Sequence, residues 1–135
     1  MTYWLIKTEP EVWSWEDQVK NGVTFWDGVR NYQARNNLKA MKIGDLALFY
    51  HTGDERRIMG VVEIVKPYYP DPSDPKGSFG MVDVKTVKPF PRPVTLKEIK
   101  EDPRLQHLGL VRQSRLSVVP IDEQSWKILT QMGKL

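Results

Sequence analysis

The densest run of groups able to do chemistry is Trp26-Asp27-Gly28-Val29-Arg30-Asn31, where an indole, a turn dipeptide, a guanidinium and an amide fall within six residues. Asn31 is a good N-cap, so the free backbone N–H groups of a helix start converge there too. A nucleobase is recognised by such a set, a π-face to stack on with directional donors and acceptors along its edge. A helix N-terminus also suits a phosphate or an electronegative base edge. A plainer arrangement puts Trp26 in the core and Arg30 in a surface ion pair, and on pattern alone the two stand level. A second polar cluster, Arg112, Ser114 and Arg115, precedes the last expected strand. Arginine there suits bidentate contacts to phosphate or base, although taken alone it reads as a pair of exposed arginines.

Other chemistries are poorly served. Cysteine is absent, which removes disulfides, thiolate catalysis and cysteine-based zinc sites together. The two histidines, His51 and His107, show no paired metal-ligand spacing and no HExxH motif. Spacing leaves a Ser-His-Asp arrangement open, but no GxSxG elbow, GxGxxG turn or phosphate-binding loop occurs. His51, at a strand end, reads as a hydrogen-bonded or pocket-edge residue, and Asp54-Glu55 and Glu101-Asp102 as solvated turns. The expectation is a binding protein without a cofactor or metal, not an enzyme.

The elements that must position these groups follow from period and punctuation. Residues 2–7 read as a strand, being β-branched and aromatic. Ser14 caps a short helix near 15–20 with Glu16 and Asp17 in its first turn, and Gly22 ends it. Val23–Trp26 is a short apolar stretch halted by Asp27-Gly28. Asn31 starts a helix running to about Met41, with Arg35, Lys39 and Lys42 on one side and Ala34, Leu38 and Met41 on the other. Leu46–His51, residues 58–66 and residues 81–88 are strands, the last with an imperfect alternation that suggests a bulge. Residues 67–80, with four prolines and two glycines, read as a loop. Thr95 caps a turn of helix to about Glu101, residues 116–120 form a last strand, and Asp122 caps a helix to Met132. Consecutive antiparallel strands flanked by helices argue for an α+β fold with a curled mixed sheet or small barrel.

Bulk properties agree with that scale. The chain has 135 residues, enough for one domain, and 40% of them are hydrophobic, enough for a real core. Its mean hydropathy is −0.49, and no apolar run approaches membrane-spanning length. The N-terminus has no basic segment followed by a long apolar one, so a cytoplasmic, membrane-free protein is expected, with a monomer favoured. Net charge is +3, with residues 30–60 holding six Lys/Arg against three Asp/Glu. That local excess makes Arg35, Lys39 and Arg57 candidates for a phosphate-facing surface, although an ordinary solvated face fits charge alone better.

Several linked motifs carry a resemblance. Trp4-Leu5-Ile6-Lys7-Thr8-Glu9-Pro10, Trp26 to Asn36, Met41-Lys42-Ile43-Gly44-Asp45 with Phe49-Tyr50-His51, Met81-Val82-Asp83-Val84, and Arg112 to Val118 together resemble the EVE domain family. That family belongs to the PUA-like superfamily and is similar to the YTH domains, which hold a methylated adenine in an aromatic cage. The resemblance implies a PUA-like curled sheet with flanking helices and binding of nucleic acid carrying a modified base, such as a methylated or hydroxymethylated cytosine. It implies base or backbone contacts from Lys7-Thr8 at the end of the first strand, a pocket tryptophan at Trp26, and polar contacts from Arg30, Asn31 and the adjoining Tyr32. Tyr50-His51 matches the family's Tyr-His strand end, and Ser114-Arg115 the loop that closes the pocket. Phe79 stands where a second aromatic wall is expected. The rivals are a PUA-like module recognising RNA by shape through Arg35, Lys39 and Arg57, a nucleobase-modifying enzyme using His51 or Asp83, and a methyl-lysine cage.

Overall fold

A computed structural model describes residues 2–135. Its first strand, β1 (Tyr3–Thr8), is buried at three successive residues, Trp4, Leu5 and Ile6, which demands cover on both faces. β1 therefore sits inside the sheet, parallel to β3 (Leu46–His51) and antiparallel to β6 (Val118–Ile121). β3 pairs antiparallel with β4 (Arg57–Pro70), β4 with β5 (Gly80–Thr95), and β5 with β2 (Val23–Trp26). The order β2-β5-β4-β3-β1-β6 is a mixed α+β sheet, as expected. It does not close into a barrel, because β2 and β6 remain unpaired edges.

The helices begin where side chains can satisfy the first free N–H groups. Ser14 and Asp17 form a reciprocal capping box on α1 (Trp15–Asn21), and the Asn31 amide oxygen accepts from the Ala34 N–H at 2.9 Å to cap α2 (Tyr32–Ala40). Thr95 caps α3 (Leu96–Glu101) and Asp122 caps α5 (Glu123–Met132). A 3₁₀ turn (Pro103–Leu105) and α4 (Gly109–Arg112) are too short to leave a periodic signal. Among the described residues no helix is long and apolar enough to cross a membrane.

The expected loop at 67–80 is shorter in the structure. β4 runs to Pro70 and β5 starts at Gly80, leaving residues 71–79 as the connection. The β4–β5 register shifts between Lys66 and Tyr69, and this irregular stretch contains Pro67. A bulge tolerates a residue without an N–H, so the proline bends the ladder without ending it.

Phe49 is fully buried at the centre, with Trp15, Trp26 and His51 edge-on to its ring at 5.2, 5.4 and 5.8 Å. Gly60 on β4 makes room for this group: a Cβ there would collide with the Trp15 ring and lie 2.9 Å from the Lys88 carbonyl oxygen. Neither neighbour is a flexible chain end. Gly60→Ala should therefore cost about 1–3 kcal/mol of stability, measured by urea unfolding, with overpacking as the cause.

Candidate functional site

The parallel register of β1 and β3 sets Lys7 opposite Tyr50 and Thr8 opposite His51. His51 is buried, and its Nε2 accepts the Trp15 backbone N–H at 2.9 Å. An accepting Nε2 assigns the proton to Nδ1, which donates to Glu55 at 2.9 Å and holds that carboxyl below its usual range. His51 thus ties the start of α1 to the end of β3, with both ring nitrogens occupied. The Thr8 hydroxyl donates to the Trp13 carbonyl at 2.9 Å, and the Trp13 indole N–H donates to the buried Gln18 at 3.0 Å. Backbone and ring of Trp13 are both held.

These ties place Trp13 on a cavity of about 220 Å³ that is also lined by Trp26, Phe25, Lys7, Thr8 and Asp27. Trp26 is only 7% exposed and belongs to the core, and it also lines this cavity. Lys7 is half-buried; its ammonium donates to the Ser114 carbonyl at 3.1 Å and lies 5.8 Å from the Tyr50 ring centre. Burial pulls the Lys7 pKa down. Burial pushes the Tyr50 phenol up to about 12, against the opposing charge of Arg56. Lys7 and Ser114 also line a neighbouring cleft with Tyr50, and Ser114 lines a further hollow with Arg115 and Asn31. Lys7, Thr8, Trp26, Tyr50, Asn31, Ser114 and Arg115 therefore fall along one chain of adjoining hollows.

Arg30, Tyr32 and Phe79 form a different group. Arg30 reaches the Asp71 carboxylate at 3.2 Å and the Ser73 hydroxyl at 2.9 Å, the ion pair of the plainer arrangement. The Phe79 ring lies 5.1 Å from Tyr32, with the Arg30 and Arg35 guanidinium groups 5.6 and 6.0 Å from its centre. Phe79 thus braces the 71–79 connection against α2, and the second indole at the Trp26 cavity is Trp13. The Asn31 amide oxygen is engaged in capping α2. On the expected basic face, Lys39 lies over Tyr68, Arg35 over Tyr32, and Arg57 pairs with Glu55 on the β3–β4 hairpin at 3.1 Å. No hydrogen bond, ion pair or cation–π contact among the described residues joins Arg57 to the other two.

Trp13 lies outside the residues that the sequence marks for the site. Its signal was positional: it precedes the N-cap Ser14, where a side chain commonly packs against the fourth helical residue, here Gln18. Ser125, His107 and Asp122 come together, but not as a catalytic triad. One ring nitrogen, His107 Nε2, meets both Asp122 at 2.7 Å and Ser125 at 3.2 Å, and Ser125 itself donates to Asp122. A triad needs the two nitrogens to face different partners. Among the described residues no cluster of three metal-ligating side chains is present.

A family model of the EVE domain matches residues 2–132. The chain belongs to the EVE domain family. Thymocyte nuclear protein 1 of Gallus gallus is 36% identical over 164 residues, covering 96% of this chain and 68% of its own. A solution structure of a Rhodopseudomonas palustris protein, 45% identical, has a TM-score of 0.93 over 99% of this chain and 94% of its own. The crystal structure of human THYN1 in complex with DNA containing 5-methylcytosine is 34% identical, with a TM-score of 0.93 over 100% of this chain and 99% of its own. A YTH domain of Zygosaccharomyces rouxii shares the fold at 16% identity and a TM-score of 0.58. The open, curled sheet is the PUA-like architecture of these EVE relatives.

The 71–79 connection of this EVE domain hangs on Asp71, whose side chain is wholly buried. Burial pushes its carboxyl up, but hydrogen bonds from the Ser73 hydroxyl, the Gly28 and Ser73 N–H groups and Arg30 outweigh this and hold it at about 2, against the usual 3.8. A depressed folded pKa contributes stability above pH 3.8 that is lost as pH falls towards 2. Asp71→Asn should lose about 2 kcal/mol at pH 7 and show a flatter acid limb, the two stability curves converging near pH 2 in denaturant titrations.

Proposed function

We propose that this EVE domain is a nucleic-acid reader that takes one modified base of a strand into the cavity between Trp13 and Trp26. The observation that carries the reading is the meeting of two indoles with Lys7, Thr8 and Asp27 at one small cavity. Stacking on indole supplies affinity that is indifferent to base identity, and the polar groups supply the discrimination. At about 220 Å³ the cavity is below the usual ~300–1,000 Å³ of drug-sized ligand sites and on the scale of a single base. The human relative in complex with DNA containing 5-methylcytosine supports the same class of ligand.

The edge groups have distinct roles. The Asp27 carboxylate is an acceptor suited to the exocyclic amine of cytosine. Thr8 has already donated its hydroxyl hydrogen to Trp13, so its oxygen is left to accept. Lys7 has spent one N–H on Ser114 and keeps two for a base carbonyl or phosphate oxygen. A methyl group on the base adds apolar contact with an indole, typically ~1–3 kcal/mol, or roughly 10–200-fold. Binding without chemical conversion fits the nearest histidine, His51, since its ring nitrogens are both committed to structure.

The experiment compares duplex DNA carrying one 5-methylcytosine with the same duplex carrying cytosine, by fluorescence polarisation. Trp26→Ala is a poor probe because emptying a buried indole site costs about 3–5 kcal/mol of stability. Trp13→Ala and Trp26→Phe are the informative variants. The wild type should prefer the methylated duplex by about tenfold. Trp13→Ala should abolish that preference, and Trp26→Phe should weaken it. An unchanged preference in folded Trp13→Ala would refute the cavity as the base site.

A further inference from the structure

Lys7 lines a second cavity beside the first, a cleft of about 340 Å³ between the β3–β4 turn and α3. Its charged lining is Lys7, Arg56 and Lys100, and no carboxylate lines it. Arg30, Arg57 and Arg104 are paired with Asp71, Glu55 and Asp102. Among the described residues none of the three cleft cations has such a partner. The Tyr50 phenol also lines the cleft and has no hydrogen-bond partner among the described residues, so its O–H is free to donate. Burial raises the pKa of that phenol from 10 to about 12.

Arg56 is held to this cleft by its backbone. Its φ is +44°, in the left-handed region that residues with a Cβ adopt only at a cost. The conformation is locked by the Leu96 N–H donating to the Arg56 carbonyl at 2.8 Å, which ties the turn to the start of α3. Its Nε donates to the Gly53 carbonyl at 3.0 Å, and its two terminal nitrogens have no protein partner among the described residues. Two parallel N–H donors are the arrangement that matches a phosphate or carboxylate edge.

We infer that this cleft is the seat of a backbone phosphate of the strand whose base enters the tryptophan cavity, held by Arg56, Lys100 and the Tyr50 hydroxyl. The inference rests on the proposed base-reading function and deepens it. Lys7 stands on both cavities, so it bridges the base and its own backbone. A phosphodiester is the anion that fits this place, because it is covalently attached to the base next door and carries its charge whatever the sequence. Contacts of this kind position the strand and leave the choice of base to the neighbouring cavity.

The test uses the full chain, the same methylated and unmethylated duplexes, and Arg56→Gln and Lys100→Gln singly and together. Both residues are exposed and outside the core, and a thermal melt verifies that folding is retained. The double variant should bind both duplexes about tenfold or more weakly, keep the methylated-to-unmethylated ratio, and lose about 2 from the slope of log K against log salt. Replacing single phosphates of the methylated duplex by neutral methylphosphonates should expose one linkage beside the modified cytosine whose loss weakens the wild type but not the double variant. Unchanged affinity and salt slope in the double variant, with the methyl preference intact, would overturn the cleft assignment alone. Equal methylphosphonate losses in wild type and variant would overturn it too. A wild type without methyl preference, whose binding nevertheless falls in the double variant, would refute the base reading and support the cleft as a phosphate seat.

Discussion

The site depends on one ring. Phe49 lies at the centre of the sheet with Trp15, Trp26 and His51 around it edge-on, so three separated segments are oriented by the same buried contact. Edge-to-face packing fixes ring orientation as well as distance, because the positive edge of one ring seeks the negative face of the other. Trp26 is therefore placed on the cavity by the core itself. His51, turned by the same contact, presents Nε2 to the Trp15 N–H and brings α1 onto the strand end, with Trp13 just ahead of it. Gly60 is the space this cluster needs.

Around that rigid centre the polar groups fall into two populations. One is consumed by structure: Gln18 holds Trp13, Asn31 caps α2, and Asp71 collects four hydrogen bonds that anchor the 71–79 connection. The other is left with spare capacity: Lys7, Tyr50, Arg56, Lys100 and Asp27 all line cavities. A buried polar group is costly unless it is satisfied, so the bonds of Gln18 and Asp71 are forced by folding, while the exposed Asn31 satisfies a free N–H of the first turn of α2. The second is the set from which a ligand's partners are drawn.

Much of the fold was legible in the sequence because its signals are local. Ser14, Asn31, Thr95 and Asp122 cap helices where side-chain oxygens stand ahead of apolar periodicity, and each does so in the structure. The strand at Leu46–His51 follows from a continuous apolar run. The extension of β4 and β5 across a proline-rich stretch was not legible, since a bulge is a property of two paired strands and neither shows it alone. At the site, the family resemblance implies Lys7, Thr8 and Trp26, while nothing in the sequence marks Trp13 or Arg56. Trp13 resembles any other covering aromatic until Gln18 fixes it, and the left-handed turn at Arg56 has no marker in an arginine.

The amino-acid sequence by itself determined the class of this protein: an α+β chain without thiol chemistry, with an aromatic-rich first quarter and linked motifs of the EVE family. Those are properties of composition and short-range order, and they survive without a third dimension. Only the tertiary structure decided which aromatic meets which. Trp26, Arg30 and Asn31 are neighbours in sequence, yet a buried ring, an ion pair with Asp71 and a helix cap draw their side chains to three different places. Trp13, Lys7 and Trp26 are distant in sequence and share one cavity, because the alignment of strand ends and the packing on Phe49 override proximity along the chain.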